Sequence, residues 1–118
     1  METNSDQTNL IARLCIEQWK LLHRFRKALD SLAEPDKARG TSQIKYSQIQ
    51  LETLAAEAGL SLVEFDGEAY GVGTPAQADN LDEFDSEDGL VVERTLEPAV
   101  VRDMKVILTG RVLVRAQD

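Results

Sequence analysis

Apolar residues in the first third of this chain recur at helical spacing. From Thr8 to Ala33, the positions Ile11, Leu14, Cys15, Leu22, Phe25, Leu29 and Leu32 follow spacings built from three and four, which predicts one long amphipathic helix. Trp19 and Leu21 widen the apolar stripe beyond what one packing partner would cover, so two neighbours are expected. Residues 1–7 are polar and are expected to form a frayed, disordered tail. Pro35 is expected to end the helix, with PDKARG as the connection. A second helix follows, capped by Thr41 or Ser42 and closed by Gly59 in the left-handed conformation. Ile44, Leu51, Leu54, Ala55 and Ala58 fall near one face of it. The two helices should pack as an antiparallel hairpin. Duplicating that hairpin about a two-fold axis would bury the rest of the stripe in a four-helix bundle. The expected dimer interface is therefore Ile11, Leu14, Cys15, Leu22, Phe25, Leu29 and Leu32, within a dimerisation region spanning residues 8–59.

After Gly59 the pattern changes to period two. Leu60, Leu62 and Glu64 alternate with Ser61, Val63 and Phe65, predicting a strand of about five residues that ends at the turn dipeptide Asp66-Gly67. The segment from Glu64 to Asp88 holds nine Asp or Glu and no Lys, Arg or His, and Gly71, Gly73 and Pro75 interrupt it. It reads as a long acidic loop with at most short strands. Beyond Gly89, apolar runs punctuated by Pro98, Asp103 and Gly110 predict strands at Leu90–Leu96, Val100–Arg102, Lys105–Leu108 and Arg111–Arg115. The expected class is α+β: a helical hairpin followed by a small all-β domain at residues 60–118.

Charge narrows the partners. The formal net charge is −8, yet residues 1–40 carry seven Lys or Arg against six Asp or Glu, while residues 41–118 carry six against fifteen. The second part holds all of the excess negative charge. Nucleic acid and anionic membranes are therefore not expected partners, because both require clustered cations. No window approaches the roughly 20 apolar residues of a membrane span. METNSDQTN has no basic region followed by an apolar run, so no secretory signal is expected, and a single cysteine, Cys15, allows no intrachain disulfide. A cytoplasmic location is the expectation.

The chemical inventory points away from an enzyme. His23 is the only histidine, set between Leu22 and Arg24 on a helix, and Cys15 lies in the apolar stripe, where a reactive thiolate is disfavoured. DNLDEFDSEDG suggests calcium, but aligning Gly89 with the sixth position of a calcium loop puts apolar Phe84 first and Ser86 third. Gly71-Val72-Gly73 lacks the third glycine and the following helix of a phosphate loop. No metal and no cofactor is expected. Lys20, Arg24, Arg26 and Lys27 read as the solvated face of the first helix.

Three segments carry a family resemblance: LLHRFRKALDSLA at Leu21–Ala33, IQLETLAAEAGLSLVEF at Ile49–Phe65, and GLVVERTLEPAVVRDMKVILTGRVLV at Gly89–Val114. Together they resemble GrpE, the nucleotide exchange factor of DnaK-type chaperones. The resemblance covers about a hundred residues and rests on spacing and residue class more than on identical motifs. It implies a homodimer whose β domain wedges against the chaperone's ATPase domain and releases ADP, with no covalent chemistry. It also implies partner contacts at Leu96, Lys105 and Val114, with Lys105 standing where the family commonly has Arg. Departures are several. Set against typical members, the sequence lacks most of the long paired helix that precedes the bundle, as well as their extended acidic N-terminal tail. Tyr70-Gly71-Val72 and Pro75-Ala76-Gln77 replace Phe-Asp-Pro and His-x-Ala, and Gln43-Ile44 stand where the second helix usually carries a glycine. Ala99-Val100 replace Gly-Tyr, and Leu108-Thr109-Gly110 replace an Arg-Pro-Ala-like step. These changes leave open a second expectation, an adaptor on the same scaffold that binds a different partner through the acidic Glu64–Asp88 segment.

Overall fold

A computed structural model describes the backbone of residues 2–117, and side chains from Asp6 onward. The chain divides into two compact units, Met1–Leu60 and Ser61–Asp118.

The first unit is a pair of helices, α1 at Glu2–Leu29 and α2 at Asp36–Glu57. On α1, Ala12, Cys15, Ile16, Trp19, Leu22 and Leu29 are buried; on α2, Gly40, Ile44, Leu51 and Ala55 are. Each set recurs at multiples of three and four, so each helix covers one stripe. The helix ends differ from the sequence expectation. α1 is already formed at Glu2, inside the stretch expected to be frayed. It ends at Leu29, and the next backbone N–H groups, of Asp30, Ser31 and Leu32, tighten onto the carbonyls three residues back.

PDKARG is not a connection. Pro35 is the N-cap of α2 and Asp36 lies in its first turn, because a proline has no N–H to leave unsatisfied there. Thr41 accordingly caps nothing: its hydroxyl donates to the Lys37 carbonyl one turn back, at 2.8 Å. Gly40 thus falls in the early turns of α2, pressed on Leu29, where an added Cβ would stand 2.4 Å from a Leu29 methyl. The far end of α2 follows expectation. Gly59 has φ +77°, its N–H bonds the Ala56 carbonyl at 2.9 Å, and the Leu60 N–H reaches the Ala55 carbonyl at 2.8 Å, a Schellman closure.

The second unit contains six strands: β1 Ser61–Val63, β2 Ala76–Ala78, β3 Leu90–Glu97, β4 Ala99–Arg102, β5 Lys105–Leu108 and β6 Gly110–Ala116. They form two three-stranded sheets, ordered β1-β4-β5 and β2-β6-β3. Every pairing is antiparallel except the parallel β2–β6. The chain leaves one sheet for the other at Pro98, which is fully buried, and returns at Gly110. A Cβ on Gly110 would stand 2.8 Å from the Glu97 carbonyl oxygen and 2.9 Å from the Ala99 nitrogen, so this crossing requires glycine. Phe65, Ala76, Ala78, Leu90, Val92, Ala99, Val112 and Val114 form the core, with Val63, Tyr70, Leu81 and Phe84 packed around it.

The acidic segment is tied down at its start. Gly67 takes the positive φ its turn requires. Asp66 accepts hydrogen bonds from the Thr95 N–H and hydroxyl, and the same hydroxyl accepts from the Phe65 N–H at 2.9 Å. This satisfies Thr95, the one buried polar residue of the described chain. Beyond β2 and a short 3-10 turn at Leu81–Glu83, the segment from Glu64 to Asp88 has no regular element, as its composition indicates.

Candidate interaction surface

Two adjacent strands of the β1-β4-β5 sheet and the loop that joins them carry exposed apolar and cationic side chains. β4 and β5 pair so that Arg102 stands directly opposite Lys105, leaving a loop of two residues, Asp103 and Met104. Such a loop matches the twist of its strands as a type I′ turn when both residues take positive φ, and here they do, at +51° and +67°. Asp tolerates that conformation through local hydrogen bonding. Methionine does not: crowding between Cβ and the following carbonyl costs roughly 1–2 kcal/mol, which glycine would avoid.

Met104 is also almost fully open to solvent, at 96 %, and Val106 is 48 % exposed. Lys105 lies exposed between them, and Arg102 places its guanidinium 4.0 Å from the Asp103 carboxylate. Ala99 and Val100 of β4 are wholly buried, and β1 pairs along β4 through Leu62 and Val63. The hairpin therefore presents a thioether beside an exposed lysine and an Arg102–Asp103 ion pair, in a unit whose other charges are mostly carboxylates.

The partner contacts implied by the resemblance do not converge on this surface. Val114 is 1 % exposed and belongs to the core, paired with Val92 and bonded through its backbone N–H and C=O to the Asn80 side chain, so it is corrected from contact to core. Leu96 is half-buried beside a β-bulge in β3. Only Lys105 is exposed. The residues read as a dimer interface split in the same way. Cys15, Leu22 and Leu29 are buried within the chain and offer nothing to a second copy, whereas Ile11, Leu14, Phe25 and Leu32 are exposed. Leu10 and Leu21 join the exposed group. Met104 and Val106 were missed. Two strands separated by two residues are a hairpin signal, but Asp-Met is not a turn dipeptide, so the tip reads as an interruption.

Elsewhere in the second unit, Arg111 bridges the Asp79 carboxylate after β2 and Glu97 at the end of β3, the latter at 3.4 Å. The hydrogen bond that the guanidinium donates to Asp79, aided by both negative charges, holds its pKa above the usual value, a pin across the β2-β6-β3 sheet. A depression of about 500 Å³ opens between Tyr70, Val72, Thr74, Glu87 and Asp88. Gly71 and Thr74 close a tight turn on its rim, with the Gly71 N–H on the Thr74 hydroxyl at 3.0 Å.

His23 stacks on Trp19 with ring centroids 3.6 Å apart, its Nδ1 lying 2.9 Å from the Trp19 carbonyl oxygen as donor. Burial pushes the Cys15 thiol up, away from the reactive thiolate. Among the described residues no group of three or more His, Cys, Asp or Glu is placed to hold a metal ion, and no helix is long and apolar enough to cross a membrane. The chain matches no family model, no curated protein and no solved structure.

Proposed function

We propose that this protein is a GrpE-like nucleotide exchange factor that binds the ATPase domain of a DnaK-type chaperone in the cytoplasm and promotes ADP release. The observation carrying this reading is the order of parts: a helical hairpin closed by a Schellman glycine, then an acidic loop, then a two-sheet β unit that presents a cationic hairpin. Exchange needs no nucleophile or base. A protein that binds the open nucleotide cleft better than the closed one shifts the chaperone toward opening by that difference in affinity alone. Two copies paired through the exposed α1 residues Leu14, Leu21 and Phe25 would supply the dimer.

Stopped-flow release of a fluorescent ADP analogue from the host's DnaK-type chaperones tests the reading. Acceleration proportional to added protein is expected, and no acceleration with any of them overturns it. The exposed carboxylates of Asp82, Asp85 and Asp88 favour a second reading, an adaptor that docks a basic partner without exchange. Its signature is salt-sensitive capture of a partner other than the chaperone, lost when those three residues are changed to Asn.

A further inference from the structure

The exposed face of α1 reads the same in both directions. Gln7, Leu10, Leu14, Leu21, Phe25 and Ala28 share that face at intervals of three, four, seven, four and three, and all six are exposed. Leu14 and Leu21 lie equally far from the step between Glu17 and Gln18, as do Leu10 and Phe25, and then Gln7 and Ala28. A two-fold axis crossing a helix at right angles asks for that symmetry, because it sets each residue beside its mirror position in the other copy. A two-fold running along the helix, which pairs every residue with itself, asks for no such spacing.

We infer that two copies of this chain pair antiparallel along α1, about an axis between Glu17 and Gln18, with Leu14 of each copy seated on Leu21 of the other and Leu10 on Phe25. The inference rests on the two-copy part of the exchange-factor reading and names which way the copies run. Charge complementarity supports the direction. Residues 1–12 carry two acidic side chains and no Lys or Arg, whereas residues 18–29 carry Lys20, Arg24, Arg26 and Lys27 and no Asp or Glu. Antiparallel copies lay the cationic end of each helix along the acidic end of the other, and set opposite ends of the two helix dipoles side by side. Parallel copies bring like ends together instead. The two Glu17 flanking the axis are each balanced by Lys20 of the same helix, 3.4 Å away. The apolar part of the stripe, from Leu10 to Phe25, runs for about 23 Å of helix, so both ends of the pattern must engage for either to be covered.

Full-length Gln7→Cys and Ala28→Cys proteins, told apart by tags of different mass, are treated with a short bis-maleimide, each alone and after co-expression. Cys15 is buried and burial pushes its thiol pKa up, so wild type serves as the blank. Cross-linked pairs should form only in the co-expressed sample and should contain one chain of each kind, because antiparallel copies bring position 7 beside position 28 and hold like positions about 32 Å apart along the helix. Cross-linking of each variant with itself and no mixed pair overturns the antiparallel direction and leaves a two-copy exchange factor standing. Two-chain mass by light scattering with no cross-link in any sample overturns this face as the interface. Single-chain mass for wild type overturns the pairing altogether. Release of the ADP analogue by the same wild-type protein judges exchange separately: a mixed cross-link without accelerated release upholds the pairing and sinks the exchange function.

Discussion

Asn80 stands in for a strand neighbour that β2 is too short to provide. Its amide donates to the Val114 carbonyl and its carbonyl accepts from the Val114 N–H, both at 2.9 Å, one step beyond the bond from the Asp79 N–H to the Val112 carbonyl. One side chain thus mimics a backbone rung beside the buried Val114. Asn80→Ala leaves a donor and an acceptor unpaired at the edge of the core and should lower stability by about 1–3 kcal/mol, read as a shift of the urea midpoint at constant slope. Cys15 makes a separate, pH-dependent contribution. Burial raises its pKa, so the folded chain holds the thiol proton more tightly than the unfolded chain does. That contribution is complete below the unfolded value and is lost as pH rises through the folded one. Between about pH 8 and pH 10 the wild-type melting temperature should therefore fall more steeply than that of Cys15→Ala. Parallel curves for the two proteins would refute the effect.

Helices and strands were legible where one periodicity ruled. The period-two runs after Gly89 place β3 to β6 to within a residue or two, because glycine and proline mark both sheet crossings. The start of α2 was not legible, since proline both ends helices and opens them, and only packing decides which. Sequence shows the width of the apolar stripe on α1 but not which half α2 covers, so Cys15, Leu22 and Leu29 read as interface although they are core. Val114 was ambiguous for a similar reason: half-buried Leu113 blurs the alternation that Val112 and Val114 otherwise follow. The tip of the candidate surface was hidden because its turn chemistry is unfavourable, and a strained turn has no favourable signature to read. Gly40 gives the helix pair its own test. Gly40→Ala gains about 1 kcal/mol of helix propensity but overpacks against buried Leu29, a cost of about 1–3 kcal/mol. A net loss of stability is expected. The double variant Leu29→Ala/Gly40→Ala should show positive coupling in a mutant cycle, the alanine at 40 being tolerated once the leucine methyls are gone.

At the scale of the molecule the question is what covers the outer stripe of α1. Leu10, Leu14, Leu21 and Phe25 follow one another at intervals of four, seven and four, which keeps them on one face, and all four are exposed. α2 does not reach them. An exposed apolar stripe on a helix of 28 residues is a poor end state for a lone chain in water, and the proposed two-fold pairing is the simplest way to remove it. Symmetry then amplifies any substitution there, because each change enters the interface twice. Leu14→Glu with Phe25→Glu would place four carboxylates in one paired stripe, two from each copy, in surroundings where an unpaired charge is costly. Light scattering after size exclusion should give twice the chain mass of 13.1 kDa for wild type and the single-chain mass for the double variant. Circular dichroism should show the helices of the variant less stable but its β unit retained, since that unit has a core of its own. Exchange activity then separates two roles: if one β unit suffices to open the chaperone, the monomeric variant should keep measurable acceleration at higher concentration. A wild type that already runs at single-chain mass would remove the dimer from the proposal, and the antiparallel pairing with it.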